Sequence, residues 1–313
     1  MKRIRVIRGW KDLTPGDGGA SVAMGSFDGV HLGHQRVIAL AAKAAAEQGA
    51  PLGVITFDPH PRVYFRPGEP LFRLMKPDQQ ARALEKLGVD MLYVLPLDAE
   101  LAGMTDREFA TEVLHRGLAA RHVAVGFDNS FGKGRTGTPL TMRAYGEELG
   151  FGVSVADPVG DGEGAKFSST AVRDALRDGK PEVAAEILGR PFAVEGPVQR
   201  GRQLGRKLGF PTANVDMADY VSPRFGVYAT RTRLSDGREY AGVANIGVNP
   251  TVQGITRPLL EVWLFDFDED IYDRIIETDL IAFLRPEEKF DGLETMTKQV
   301  MRDAAQARAL LGA

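Results

Sequence analysis

The sequence predicts two architectures in one chain: an α/β domain on a parallel sheet, then a small antiparallel β-barrel closed by a terminal helix. Three observations carry this. Up to about residue 156, short apolar runs alternate with helical patterns, the signature of a parallel sheet covered on both faces. From about Gly189 strand-like runs follow one another with turns and no helices between them, as in a barrel. The chain then ends on one amphipathic stretch, residues 292–311, with Leu293, Met296 and Val300 at helical spacing.

In chain order, residues 21–24 form an apolar strand, a Gly-rich turn follows, and an Ala-rich helix covers 39–48 with Gly49 behind it. Residues 52–57 read as a buried strand, 78–87 as a helix ended by Gly88, and 91–97 as a strand. Thr105 and Glu108 have the spacing of a capping box, so a helix runs from there to about Gly117. A strand at 122–127, a helix at 141–149 and a strand at 152–156 complete the first part. In the second part, strands are expected at 192–198, 226–234, 239–246, 260–267 and 279–284. Ser235-Asp236-Gly237 is a hairpin turn signal. The boundary falls within 184–190, which gives domains 1–186 and 187–313.

The chain has 313 residues, enough for each domain to bury its own core. Lys and Arg number 39 against 42 Asp and Glu, a net charge of −3. This balance argues against a basic surface for nucleic acid and against a polybasic membrane footprint. Without cysteine, disulfides, thiolate metal sites and thiol nucleophiles are excluded. No apolar run approaches a membrane span, and the first ten residues lack the apolar core of a secretory signal. A cytoplasmic protein with small-molecule partners is expected; the oligomeric state is left open.

The most telling segment is Gly25-Ser26-Phe27-Asp28-Gly29-Val30-His31-Leu32-Gly33-His34. Strand, Gly-rich turn and helix start allow close backbone approach, and a helix N-terminus attracts anions. His31 and His34 can donate hydrogen bonds to oxygens crowded around one phosphorus. That suits attack on the α-phosphate of a nucleoside triphosphate, where preorganised donors stabilise charge building on equatorial oxygens. The same residues also describe two histidines that merely cap a helix. Farther on, Phe167-Ser168-Ser169-Thr170-Ala171-Val172-Arg173 opens another helix with hydroxyls at its cap and Arg173 in its first turn. Hydroxyls, amide N–H groups and a guanidinium can hold β- and γ-phosphates as pyrophosphate leaves. Alone, that segment is an ordinary cap with a surface arginine. His60, Lys133 and Arg135 stay open between surface charge and substrate contact.

The second segment runs from Gly201 through Gly205, Arg206, Gly209, Phe210, Pro211 and Thr212 to Asn214. It is not a Walker motif, since no Gly-Lys-Ser/Thr closes it, yet a basic, Gly-rich loop can wrap phosphates with its amides. Thr212 and Asn214 alternate on extended chain and face one way, and their oxygens are hard ligands suited to Mg²⁺. A Gly/Pro-rich turn with a basic surface explains the same residues. Asp266, Asp268, Glu269 and Asp270 have the composition of a metal site, but a solvated turn is the expectation.

Residues 24–35 and 168–173 resemble the adenylyltransferase half of bacterial bifunctional riboflavin kinase/FAD synthetases. Thr56-Phe57-Asp58-Pro59-His60-Pro61 is similar to that family's loop after the second strand, and 126–135 to its Gly-rich strand end, with Asp128 at the polar position. Gly205 to Asn214 resembles the riboflavin kinase signature, followed in the family's order by 226–229, 245–247, Pro250-Thr251 and Leu260-Glu261-Val262. The resemblance implies a Rossmann-like FMN adenylyltransferase domain and a riboflavin kinase barrel, using Mg²⁺, ATP and flavins. It implies catalytic roles for His31 and His34, and for Glu261 as the base that takes the ribityl hydroxyl proton. Nucleotide or phosphate contacts are implied at Gly25, Ser26, Phe27, Asp28, Gly33, Asp128, Ser168, Ser169, Thr170 and Arg173. The kinase would bind ATP through Gly201, Gly205, Arg206, Gly209, Pro211, Thr212 and Asn214, with metal on the last two, and flavin near Arg285 and Phe290. Asn129, Ser130, Val252, Trp263 and Asp273 depart from the family's pattern. One working half, or a flavin- or nucleotide-sensing module, are the alternative readings.

Overall fold

The computed structural model describes residues 3–69, 72–160, 162, 166–200, 208–250 and 256–313. By packing, the chain divides into two units, 1–70 with 77–167, and 71–76 with 168–313.

The first unit holds strands β1 (Arg5–Arg8), β2 (Ser21–Met24), β3 (Leu52–Asp58), β4 (Met91–Pro96), β5 (His122–Gly126) and β6 (Gly152–Ala156). They form one parallel sheet in the order β1-β4-β3-β2-β5-β6. β2 lies in its middle and is buried on both faces, which is why it reads as a continuous apolar run. Gly53 of β3 is required by that closeness: a Cβ there would lie 2.9 Å from Val22 and 3.0 Å from Tyr93. Helices α1 (Leu32–Gln48), α2 (Pro61–Phe65), α3 (Pro77–Lys86) and α4 (Ala99–Gly103) follow in sequence. α5 begins at Asp106–Glu108 on the expected Thr105 capping box and continues over Phe109–Gly117. In that continuation the winding is π-helical rather than the expected α, with the Leu118 N–H reaching back to Val113. α6 (Pro139–Leu149) starts on a second box, Thr138 with Thr141.

From β2 the chain builds β3 and β4 on one side, then returns to lay β5 on the other. The carboxyl ends of β2 and β5 therefore flank the point where strand order reverses, the usual ligand crevice of such sheets.

The second unit contains α7 (Ser169–Arg177), α8 (Pro181–Leu188), strands β7 (Phe192–Pro197), β8 (Ala213–Asp216), β9 (Gly226–Leu234), β10 (Glu239–Pro250), β11 (Thr256–Leu264) and β12 (Ile275–Pro286), and α9 (Leu293–Leu311). The strands form an antiparallel sheet ordered β7-β12-β9-β10-β11-β8. It nearly closes into a barrel, since the Gln199 N–H donates to the Asn214 carbonyl at 2.8 Å. Phe192, Tyr228, Ile246, Leu260, Val262, Ile276 and Leu280 are buried along alternate strand positions. On the opposite face, Ala304, Ala307 and Leu311 of α9 pack against Val227, Ala229, Val243 and Phe265. The Ser235–Gly237 turn closes as expected, with Gly237 at φ +91° and the Leu234 N–H on the Arg238 carbonyl.

A division at residue 186 assigns α7 and α8 to the first domain, whereas packing joins them to the second unit. Arg173 donates to the Phe72 carbonyl at 2.8 Å, Lys76 to that of Glu195 at 2.9 Å, and the Arg224 N–H to that of Leu176 at 2.9 Å.

Candidate active sites

In the first unit, β2 ends at Met24 and the turn begins. The Gly25 N–H extends the ladder to the Ile55 carbonyl at 3.2 Å, and Asn129 from the loop after β5 reaches the Met24 carbonyl at 3.4 Å. Phe27, Asp28, Val30 and His31 are buried. α1 starts at Leu32, earlier than the expected 39, because His31 is its N-cap: its Nδ1 accepts from the His34 N–H at 3.3 Å. The capping reading is therefore true, and it does not compete with the phosphate reading. An Nδ1 that accepts leaves the proton of a neutral imidazole on Nε2, the nitrogen that can donate. The two imidazoles stack with centroids 3.6 Å apart, and the Phe27 ring leans on His34 at 5.1 Å. Gly33 makes this possible, since a Cβ there would lie 3.0 Å from the His31 ring.

His60 caps α2, its Nδ1 accepting from the Arg62 N–H at 3.1 Å. Asp128 is exposed and ion-paired with Lys166, whose ammonium sits 4.5 Å from the centre of the Phe127 ring. The Gly-rich segment after it is stitched to the start of α5. The Lys133 N–H donates to Met104 at 2.7 Å, and Thr136 to Asp106 at 3.0 Å. Arg135 turns back onto Ser130 at 2.8 Å. Lys133 and Arg135 are exposed.

Ser168 caps α7 as expected, its Oγ accepting from the Ala171 N–H at 3.1 Å, with Ser169 and Thr170 in the first turn. Arg173 is not a surface arginine: it is buried, with its guanidinium 4.9 Å from the centre of the Phe72 ring. This helix start belongs to the second unit, while the His31 turn belongs to the first.

The second site is assembled by strand register. Glu261 of β11 stands opposite Asn214 of β8 on one side and Asn245 of β10 on the other. Residues directly opposite share a face, so Asn214, Glu261 and Asn245 form one row on the α9 face of the sheet, outside the barrel core. Asn214 is buried, and Thr212 precedes it by two positions on the same side. Asn245 Nδ2 donates to Glu287 Oε1 at 3.2 Å, a carboxylate the sequence reading did not single out. Gly247 leaves room for it, because a Cβ there would meet that oxygen at 2.1 Å. Gly209 is left-handed at φ +89° and Pro211 is exposed. Gly201, Gly205, Arg206 and Val252 lie outside the described residues.

Two departures from the family pattern acquire physical reasons. Trp263, on the row's face, packs at 5.9 Å on Phe210 and at 5.5 Å on Phe265. Asp273 has φ +62°, a left-handed position that aspartate is among the residues to tolerate. Arg285 grips buried Asp303 of α9 with Nε at 2.9 Å and Nη2 at 2.7 Å, and lies 5.8 Å from the Phe290 ring. The acidic turn is ion-paired: Asp266 takes Arg308 at 2.8 Å and Glu269 takes Arg238 at 2.9 Å. Those hydrogen bonds hold both carboxyls below their usual range. Among the described residues no group of three or more His, Asp or Glu is placed to hold a metal ion.

A family model described as FAD synthetase matches residues 14–171, and one described as riboflavin kinase matches 188–311. A bifunctional riboflavin kinase/FMN adenylyltransferase of Pseudomonas fluorescens is 39% identical, the match covering 98% of each chain. The protein of the same name in Escherichia coli K12 is 37% identical over 99% of this chain and 98% of its own. In Bacillus subtilis the identity is 37%, over 91% of this chain and 90% of the relative. A Streptococcus pneumoniae crystal structure, solved under the name macrolide-efflux protein, superposes with a TM-score of 0.86 at 32% identity, covering 97% of this chain and 99% of that one.

Proposed function

Since the chain belongs to the family of bifunctional riboflavin kinase/FMN adenylyltransferases, we infer that it makes FMN from riboflavin and ATP on its barrel, and FAD from FMN and a second ATP on its parallel-sheet unit. The observation that carries this is a match over 98% of each chain with a relative of that name, with a family model for each activity on its own stretch of the chain.

For the kinase step, Glu261 takes the proton of the ribityl 5′-hydroxyl as that oxygen bonds to the γ-phosphorus of ATP and ADP departs. A carboxylate suits this because a neutral alcohol must lose its proton during the transfer. Asn214 and Thr212 offer neutral, hard oxygens on one side of β8, a donor set that fits Mg²⁺ arriving with the ATP phosphates. Bound there, the cation would neutralise phosphate charge. Gly201, Gly205, Arg206, Gly209 and Pro211 are assigned to the loop around ATP, and Arg285 with Phe290 to the flavin side.

In the adenylyl step, a phosphate oxygen of FMN attacks the α-phosphorus of ATP, and the bond to the β-phosphate breaks to release pyrophosphate. The nucleophile is already anionic, so no general base is needed. His31 and His34 supply imidazole donors, and the first N–H groups of α1 add the field of a helix N-terminus. Gly25, Ser26, Phe27, Asp28 and Gly33 shape the turn. We assign Ser168, Ser169, Thr170 and Arg173 to the departing pyrophosphate. Asp128, a carboxylate, suits a nucleotide hydroxyl better than a phosphate. The domain assignment remains 1–186 for adenylyl transfer and 187–313 for the kinase, located in the cytoplasm with its ATP.

Incubating the pure protein with riboflavin, Mg²⁺ and ATP, then separating the flavins, tests all of this. FMN followed by FAD is expected. FMN alone leaves only the kinase working, and no new flavin leaves a binding module. The efflux name of the Streptococcus structure supports no second reading: among the described residues no helix is long and apolar enough to cross a membrane.

A further inference from the structure

The turn between β2 and α1 is strained where its chemistry is concentrated. Phe27 and Val30 stand at φ +49° and +44°. That left-handed conformation is an outlier for a β-branched valine, and it persists only where surrounding groups over-determine the backbone.

Those groups are identifiable. Gln80 of α3 donates its Nε2 to the carbonyls of both Ser26, at 3.0 Å, and Phe27, at 3.1 Å. Thr56 of β3 donates to the same Ser26 carbonyl at 3.1 Å. Gln35 of α1 holds the Val30 carbonyl at 3.0 Å. Only the NH₂ end of an amide can face two carbonyls, so the orientation of Gln80 is settled by its partners.

Peptide planarity converts this clamp into a directed set of donors. In a trans unit, a carbonyl drawn to one side sends the next N–H to the other. With the Ser26 and Phe27 carbonyls converging on Gln80, the N–H groups of Phe27 and Asp28 are directed to the opposite face of the turn. The Val30 carbonyl, held by Gln35, turns the His31 N–H away from that side chain in the same manner. Successive N–H groups presented on one face favour an anion.

We infer that Gln80, assisted by Thr56, is a positioning residue for adenylyl transfer: it holds the strained Phe27–Val30 turn in its anion-binding form. The inference rests on the reading of this turn as the phosphate site. Gln80 acts through the backbone and touches no reacting atom in this scheme. Two features separate it from a packing residue: its hydrogen bonds go to the strained segment itself, and the donor, not the volume, does the holding.

The test uses the full-length protein, with FAD formation measured from supplied FMN and Mg–ATP, and FMN formation from riboflavin as the internal control. Gln80→Met keeps the length and removes the donor; Gln80→Lys restores a donor of similar reach. The Met variant is expected to lose about tenfold in kcat for FAD formation, with the KM for FMN changed less than about threefold. Its kinase rate stays at the wild-type value, and the Lys variant recovers most of the loss. Wild-type kcat in the Met variant overturns the inference. So does a Lys variant as slow as Met in protein that melts normally. Should Gln80→Met fail to fold, Thr56→Val removes the other donor on the Ser26 carbonyl, and unchanged FAD formation there overturns it equally. If the wild-type protein makes FMN but no FAD, the reading of the turn falls first, and this inference with it.

Discussion

The His31 turn and the Glu261 row, the two proposed sites, are built in opposite ways. The turn is contiguous in sequence: ten residues bring two stacked imidazoles and a helix start together, at the expense of strained backbone at Phe27 and Val30. The row draws its members from three strands in standard register, where alternation alone puts Asn214, Glu261 and Asn245 on one face. The first site stores its precision in a loop clamped by neighbours, and the second in the sheet. Damage should therefore spread differently. A change at the turn alters geometry as well as chemistry, whereas a change in the row removes one group and leaves the frame.

The largest effect is expected at Glu261. Glu261→Gln keeps shape and register while removing the base, so FMN formation should fall by about 10²–10⁴. FAD formation from supplied FMN should persist in the same preparation. If both fall together in folded protein, the two sites are not separable as described. Next comes His31. His31→Ala removes an imidazole donor and a helix cap, and FAD formation should fall by roughly 10²–10³. His31→Asn divides the two roles, since asparagine is a good N-cap. It should recover the thermal stability lost by the alanine, about 1 kcal/mol, without recovering the rate. Recovery of both would make the cap the whole of the residue's function.

The same contrast explains what the sequence disclosed. Strands at 21–24, 152–156 and 226–234 match their expected limits, because turn signals flank each of them. β1 escaped prediction because only Val6 and Ile7 are apolar between its arginines, and edge strands commonly carry such charge. β8 owes its strand identity to pairing with distant β11, which no local window contains. α8 did carry signals that were passed over, Pro181 at its start and left-handed Gly189 at its end. At the sites, the His-x-Gly-His turn was legible because it is local. The clamp was not: Gln80 lies 54 positions from Ser26, on a helix with nothing to mark it. The place of Asn245 beside Glu261 was likewise hidden until strand register was known.

A smaller effect probes the turn's tightness. In Gly33→Ala the new methyl would stand 3.0 Å from the His31 ring, close enough that the ring must shift by a few tenths of an ångström. Such a shift should slow FAD formation by about tenfold, since small misplacements near a reacting centre are magnified in rate. Beside the row, Val248→Ala changes an exposed residue on the other face of β10, one position beyond Gly247, and should leave FMN formation unaltered. Equal tolerance at both positions would remove the distinction between a loop-held and a sheet-held site.

The smallest expected effects have opposite signs in the two units. In the first, burial lowers the pKa of His122, which also meets Ser154 at 2.8 Å. An unfolded chain then takes up the proton more readily, so this stability is present above about pH 6.5 and is lost as pH falls. In the second, burial first and the Glu277 carboxylate second push Asp279 up to about 6, against the pull of Arg233 and Arg190. Between about pH 4 and 6 the folded chain holds the extra proton, so this contribution is lost as pH rises. Asp279→Asn should therefore stabilise the second unit near pH 7.5 by an amount on the order of 1 kcal/mol, seen as a higher melting temperature, and do little near pH 3.5. Melting curves across that range, on wild type and variant, decide the point. A variant that melts below wild type near pH 7.5 would mean that Arg190 and Arg233 outweigh burial at Asp279, and the two units would then share one response to acid.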